Sequence, residues 1–191
     1  MSKYLHNYLR DNEAVLWQSE PSNVTVLEKG NKNNIFRAWL LAIIICGGMI
    51  WAYATYNKAP HIGVPIAFAL IGLAVLISPL FECSTVKRQK YYITNQRVIL
   101  EFDAKTFYSM ELAAIDDYKL VTDQSNEPTL VLGSVLFPEI EKQLRWRAGH
   151  PPIDRQSTTN RNRADGFVFY NVKNADDAIE LLEGRNVTRA A

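Results

Sequence analysis

Residues 38–56 and 62–81 form two runs without an Asp, Glu, Lys, Arg or His, and only residues 57–61 separate them. Each run has about the 20 apolar residues that an α-helix needs to cross a hydrocarbon core of roughly 30 Å. The short link forces the second run back beside the first. The expected organisation is a transmembrane helical hairpin over residues 36–84, an N-terminal segment of residues 1–35 and a soluble region over 87–186. Two charge-free runs of this length are rare in a soluble core.

Basic residues set the expected orientation. Lys29, Lys32 and Arg37 precede the first run, Lys87, Arg88, Lys90 and Arg97 follow the second, and the link holds Lys58. Both termini are therefore expected on the cytoplasmic side of a multi-pass protein. Neither run carries the ionisable residue that an ion or proton path needs. The start lacks the early apolar stretch of a secretory signal.

Ala38, Ala42 and Cys46 recur every four residues in the first run, and Gly63 and Ala67 begin a similar stripe in the second. Such stripes let helices approach closely. They predict packing within the hairpin, or association of two copies as the alternative. Trp39, Trp51, Tyr53 and Tyr56 lie near the ends of the first run, at head-group level. Pro79 is expected to kink or end the second.

The 191 residues carry a net charge of +1. No global field attracts nucleic acid, and none is expected as a partner. Two cysteines, at 46 and 83, and three scattered histidines give no disulfide framework and no metal spacing. No nucleophile elbow, phosphate loop or pair of catalytic acids is present. No catalytic residue, metal or cofactor is expected, so the chain is not read as an enzyme.

Beyond residue 90 the period becomes that of strands. Residues 91–94 and 98–102 are rich in β-branched and aromatic side chains. Asn95-Gln96 between them reads as a tight turn, because Asn tolerates the left-handed region. Residues 106–112, 117–122, 129–137 and 166–170 are further strand candidates. Asn174 then reads as a helix cap, with Ala175, Ala178, Ile179 and Leu182 on one stripe and Gly184 as the stop. Asp176 and Asp177 suit the positive end of that helix. The fold class expected is α+β: the two-helix hairpin plus a small antiparallel barrel or sandwich capped by the C-terminal helix.

Three places carry a resemblance. Glu13-Ala14-Val15-Leu16-Trp17 with Pro21, the hairpin Tyr92-Ile93-Thr94-Asn95-Gln96-Arg97-Val98-Ile99, and the closing strand and helix of residues 167–182 together resemble the bacterial PH-domain membrane proteins. The hairpin is the most specific of the three. The resemblance implies a PH-like module tethered at the cytoplasmic face of a bacterial inner membrane. It implies no fixed ligand. The reading it supports is a binding or scaffold module that contacts anionic lipid or a protein partner, including a second copy of itself. The alternative is an accessory subunit of a larger membrane complex, with the hairpin making the main contacts.

Basic residues supply the candidate contacts. Lys87, Arg88, Lys90 and Arg97 follow the second run closely. Arg97 has two readings: it pairs with a carboxylate or caps the turn, or it meets a lipid head group. Residues 138–165 form an insert longer than a small barrel needs. Between Lys142 and Arg163 this insert holds six basic residues and one acid. Lys142, Arg145, Trp146, Arg147, Arg161 and Arg163 are its contact candidates, against the reading of a solvated loop. Residues 13–18 have strand composition although they precede the hairpin, and Trp17 is expected to be buried against the barrel.

Overall fold

The segment Tyr91-Tyr92-Ile93-Thr94 is buried on both faces, and that burial organises the chain around it. In the computed structural model, residues 4–22, 24–27, 32–57, 61–122, 128–133, 153–155, 163–185 and 188–189 are described. A short helix α1 (Leu5–Tyr8) leads to strand β1 (Val15–Ser19). Two long helices follow, α2 (Lys32–Tyr56) and α3 (Gly63–Lys87). Strands β2 (Lys90–Thr94), β3 (Arg97–Asp103) and β4 (Thr106–Glu111) come next, then a 3₁₀ turn at Leu112–Ala114. After them run β5 (Asp117–Val121), β6 (Thr129–Leu132), β7 (Ile153–Arg155), β8 (Ala164–Phe169), helix α4 (Ala175–Glu183) and β9 (Thr188–Arg189).

The fold is α+β, with two long apolar helices and two small sheets. The first sheet is antiparallel in the order β1-β2-β3-β4, and the second has the order β7-β8-β6-β5-β9. The second is antiparallel except where the two residues of β9 run parallel to β5. Among the described residues the sheets do not close into a barrel. They face each other, joined at isolated bridges between Ser109 and Arg163 and between Pro21 and Val172.

Alternation sorts the side chains into three apolar layers. Tyr91, Ile93, Val98, Leu100 and Tyr108 point inward to meet Leu130, Leu132, Phe167 and Phe169 of the second sheet. Ala178 and Leu182 of α4 fill the end of this core. Tyr92, Ile99 and Phe107 point outward, where Leu5 of α1 and the flanking Tyr8 and Leu9 cover them. Val131 and Val168 point outward from the second sheet and meet Cys83 and Val86 of α3, together with Val24. A strand covered on both faces reads as a continuous apolar run, which explains the composition of β2 and β3.

Chain order and space diverge at one place. β1 precedes the helices and β2 follows them, yet the two are neighbours, with Trp17 opposite Ile93 and Ser19 opposite Tyr91. Trp17 is 8% exposed and stacks on Phe169 at 6.4 Å between ring centroids. The helical pair therefore leaves and re-enters a single sheet.

Both helices are long and apolar enough to cross a membrane, and almost none of their apolar surface is buried within the chain. They extend past the apolar runs. α2 starts six residues earlier than position 38, at Lys32. α3 continues through Pro79 to Lys87, so that proline neither ends nor interrupts it. Cys83 and Val86 in its last turns pack against Val131 and Val168 of the second sheet.

Several local expectations need correction. Asn174 does stand at the N-cap, but in the left-handed conformation, with φ of 55°, and its side chain makes no cap hydrogen bond. Gly184 is the C-cap where the helix stops, but its φ of −60° is not left-handed, and its N–H bonds the Glu180 carbonyl. The insert is not wholly a loop, because β7 inside it pairs with β8.

Trp17→Ala removes a ring packed between the sheets. The expected cost is about 3 kcal/mol or more, read as a lowered denaturation midpoint of the full-length protein in detergent. Wild-type stability would show that β1 contributes little to the sandwich.

Candidate functional site

The turn between β2 and β3 is built from polar side chains that face the N-terminal segment. Thr94 Oγ1 accepts the backbone N–H groups of Gln96 at 3.2 Å and Arg97 at 2.9 Å, closing the turn locally. Asn95 is not left-handed; the positive φ of this region belongs to Asn12, at 61°. Asn95 is used for its amide. Its Oδ1 accepts the Ala14 N–H at 2.9 Å and its Nδ2 donates to the Asn12 carbonyl at 3.0 Å. The Asn95 backbone N–H bonds the Ala14 carbonyl at 3.1 Å.

Arg97 lies inside this junction. Its Nε donates to Glu13 Oε1 at 2.9 Å and its Nη2 to Glu13 Oε2 at 3.0 Å, a forked pair. Nη2 also donates to the Tyr8 carbonyl at 2.8 Å and Nη1 to Ser109 Oγ at 3.3 Å. The guanidinium carbon sits 4.7 Å from the Tyr8 ring centroid. Both partners are almost fully buried, at 6% and 0% side-chain exposure. Glu13 also accepts the Arg10 N–H at 2.8 Å and the Thr94 hydroxyl at 2.7 Å. Burial pushes the Glu13 carboxyl up. The hydrogen bonds from Arg97, the Arg10 N–H and Thr94 together outweigh burial and hold it below the usual carboxylate range.

A second, exposed pair extends the junction. Arg10 Nη2 bonds Glu111 Oε1 at 2.6 Å, and Arg163 Nη2 approaches the same oxygen at 3.8 Å. Arg10 lowers the Glu111 carboxyl below its ordinary value.

The expected contact residues scatter. Lys87 and Arg88 are exposed at the end of α3. Lys90 is half-buried and bonds Glu20 at 2.7 Å. Arg97 is enclosed and does not present its charge outward; of its two readings, the carboxylate pair is the one in the structure. Arg163 is exposed near Glu111, away from Lys90 in the sheet order. Lys142, Arg145, Trp146, Arg147 and Arg161 lie outside the described residues. In the helical pair, Ala38, Ala42 and Cys46 are half-buried, whereas Gly63 and Ala67 are exposed. The close approach on α3 falls instead at Gly72, where an added Cβ would meet Cys46 at 3.4 Å. An open apolar groove of about 240 Å³ runs beside that seam, lined by Ala42, Cys46, Gly47 and Leu76 among others.

An open cleft of about 410 Å³ lies where β1 ends and β2 begins. Glu20 and Lys90 line it from the first sheet, with Gln18 and Ser19, and Lys173 and Asn174 line it from the start of α4. Tyr92 is also on the lining, and its hydroxyl donates to buried Glu101 at 2.8 Å. Glu20 raises the Lys90 ammonium above its ordinary value.

Sequence reasoning missed Glu13, Thr94, Ser109 and the cleft residues Glu20 and Lys173. Glu13 had one visible signal: an acid beside a strand-like segment, with an unassigned arginine in the most specific hairpin of the chain. Among the described residues no cluster of three His, Cys, Asp or Glu side chains is arranged to hold a metal. No family model, no curated protein and no solved structure matches this chain.

Arg97→Met leaves the Glu13 charge buried without its partner. The expected destabilisation is about 3–5 kcal/mol, and the double variant with Glu13→Gln recovers part of it. The pH dependence has a definite sign. The folded carboxyl titrates below 4.5, so its contribution is present above that pH and is lost as the pH falls through the folded value. Acid unfolding followed by fluorescence should have a shallower pH dependence in Glu13→Gln.

Proposed function

We propose that the protein is a membrane-anchored binding module whose PH-like sandwich works at the cytoplasmic face of a bacterial inner membrane. α2 and α3 cross the bilayer, both termini are cytoplasmic, and the module contacts anionic lipid or a protein partner there. The observation that carries this reading is the double attachment of the helices. They leave the first sheet after β1 and re-enter it at β2, while Cys83 and Val86 at the foot of α3 pack under the second sheet. A sandwich held at both sheets keeps a fixed height and tilt over the span, as a surface-reading module requires. Exposed Lys87 and Arg88 sit at the head-group level of that arrangement. Each basic residue close to an anionic surface contributes roughly 1 kcal/mol. The resemblance carried by residues 92–99 points the same way.

The open groove beside Cys46 and Gly72 favours a second reading, in which another helix seats there and the chain serves a larger complex. Exchanging residues 38–56 and 62–81 for an unrelated hairpin separates the two. Phospholipid retained by the protein in mild detergent should survive the exchange and fall when Lys87 and Arg88 are both replaced by Gln. Retention that follows the hairpin instead would favour the complex subunit. Orientation is checked with Asn57→Cys, which should react with an impermeant thiol reagent from outside intact cells. Labelling only after lysis would reverse the topology.

A further inference from the structure

We propose that the cleft between the end of β1, the start of β2 and the start of α4 is a site for a phospholipid head group that carries both a phosphate and a primary amine; this rests on the membrane-anchored reading above. The lining holds two ammonium groups, Lys90 and Lys173, and one carboxylate, Glu20. Lys173 is exposed and has no carboxylate partner among the described residues, so its charge is available to a phosphate. Glu20 lies 2.7 Å from Lys90 with its side chain 65% exposed, leaving lone pairs open to a second donor. A carboxylate in this position disfavours a purely anionic ligand. It favours one whose N–H bonds it can accept. A trimethylated amine has no N–H to offer. Gln18 and Ser19 add neutral polar groups to the same wall.

Location favours a lipid over a soluble compound. Lys90 lies nine residues beyond Phe81, where the apolar run ends: six residues of helix, about 9 Å of rise, and three more that reach at most about 10 Å. Glu20, Pro21 and Ser22, also on the lining, belong to the chain that runs on to α2. Both of these lining segments therefore continue into the helices that reach the bilayer.

The test uses the full-length protein in mild detergent, titrated with phosphatidylethanolamine or phosphatidylcholine of identical chains and followed by native mass spectrometry. The wild type should bind the primary amine about tenfold more tightly, the equivalent of one charge-assisted hydrogen bond. Lys173→Gln should weaken both lipids, and Glu20→Gln should abolish the preference while sparing binding. Both side chains are exposed, and circular dichroism checks that each variant folds. Equal affinity of the wild type for the two lipids, or variants that bind like the wild type, would overturn the site. The anionic-lipid form of the reading above survives that result if phosphatidylglycerol still binds; if no phospholipid binds at all, the module's contact is with a protein partner. Glycerophosphoethanolamine, the head group without chains, should compete only at millimolar concentration. Competition at micromolar concentration would assign the cleft to a soluble compound and overturn the lipid proposal.

Discussion

The forked pair between Glu13 and Arg97 decides where the N-terminal segment goes, and the rest of the structure depends on that decision. β1 and β2 are adjacent in the sheet, yet the two long helices separate them in the chain. No tight turn sets their register. Register errors in a strand invert every side chain, and here inversion would expose Trp17. Among the described residues, Arg97 is the cation that pairs with the buried Glu13 carboxylate. The Thr94 hydroxyl and the Asn95 amide fix the neighbouring backbone, so the segment can dock in one place only. The worth of the pair is specificity more than net stability. Desolvation of two charges offsets most of their attraction, while a mispaired strand would leave both uncompensated.

The same docking makes the first sheet usable. Its outer face carries Tyr92, Ile99 and Phe107, which would otherwise be an exposed apolar patch. Leu5 covers them, and the Tyr8 ring stacks on Phe107 at 4.8 Å between centroids. Tyr8 also touches the Arg97 guanidinium, so the apolar cover and the ion pair share a residue. Losing the pair therefore uncovers the sheet as well as freeing β1. On the other side of the sandwich, the foot of α3 does for Val131 and Val168 what α1 does for Phe107. Each sheet is covered by chain that precedes or forms the long helices.

Sequence periodicity made the two long helices, the strands β2 to β4 and the C-terminal helix legible, because each signal lies within a few residues. Long-range pairings left weaker traces. The local sequence points to Asn95 as a backbone turn residue, whereas the structure uses its amide for a partner more than eighty residues earlier. Arg97 was correctly placed beside a turn, but nothing local identified Glu13 as its partner. Ala42 and Cys46 of the first run lie at the seam with α3, whereas Gly63 and Ala67 are exposed. Spacing gives a face but not the point of closest approach, which falls at Gly72. Gly133 is another case. Its φ of 91°, and the Asp165 carbonyl 2.5 Å from where a Cβ would sit, come from a strand thirty residues on.

Charge in this protein is organised by distance from the helices rather than by total. The net charge of +1 hides two arrangements. At the junction with the N-terminal segment, Arg97 pairs with Glu13, and Arg10 and Arg163 share Glu111. At the foot of the helices, Lys87, Arg88, Lys90 and Lys173 meet only Glu20 among the ion pairs of the described residues. Paired charges are screened by their partners, so the long-range field comes from the unpaired ones. That field is positive where α3 meets the first sheet, beside the cleft. A bilayer surface at that end would act on the sandwich through those few side chains, while the buried pair at the other end keeps the sheet they stand on in register.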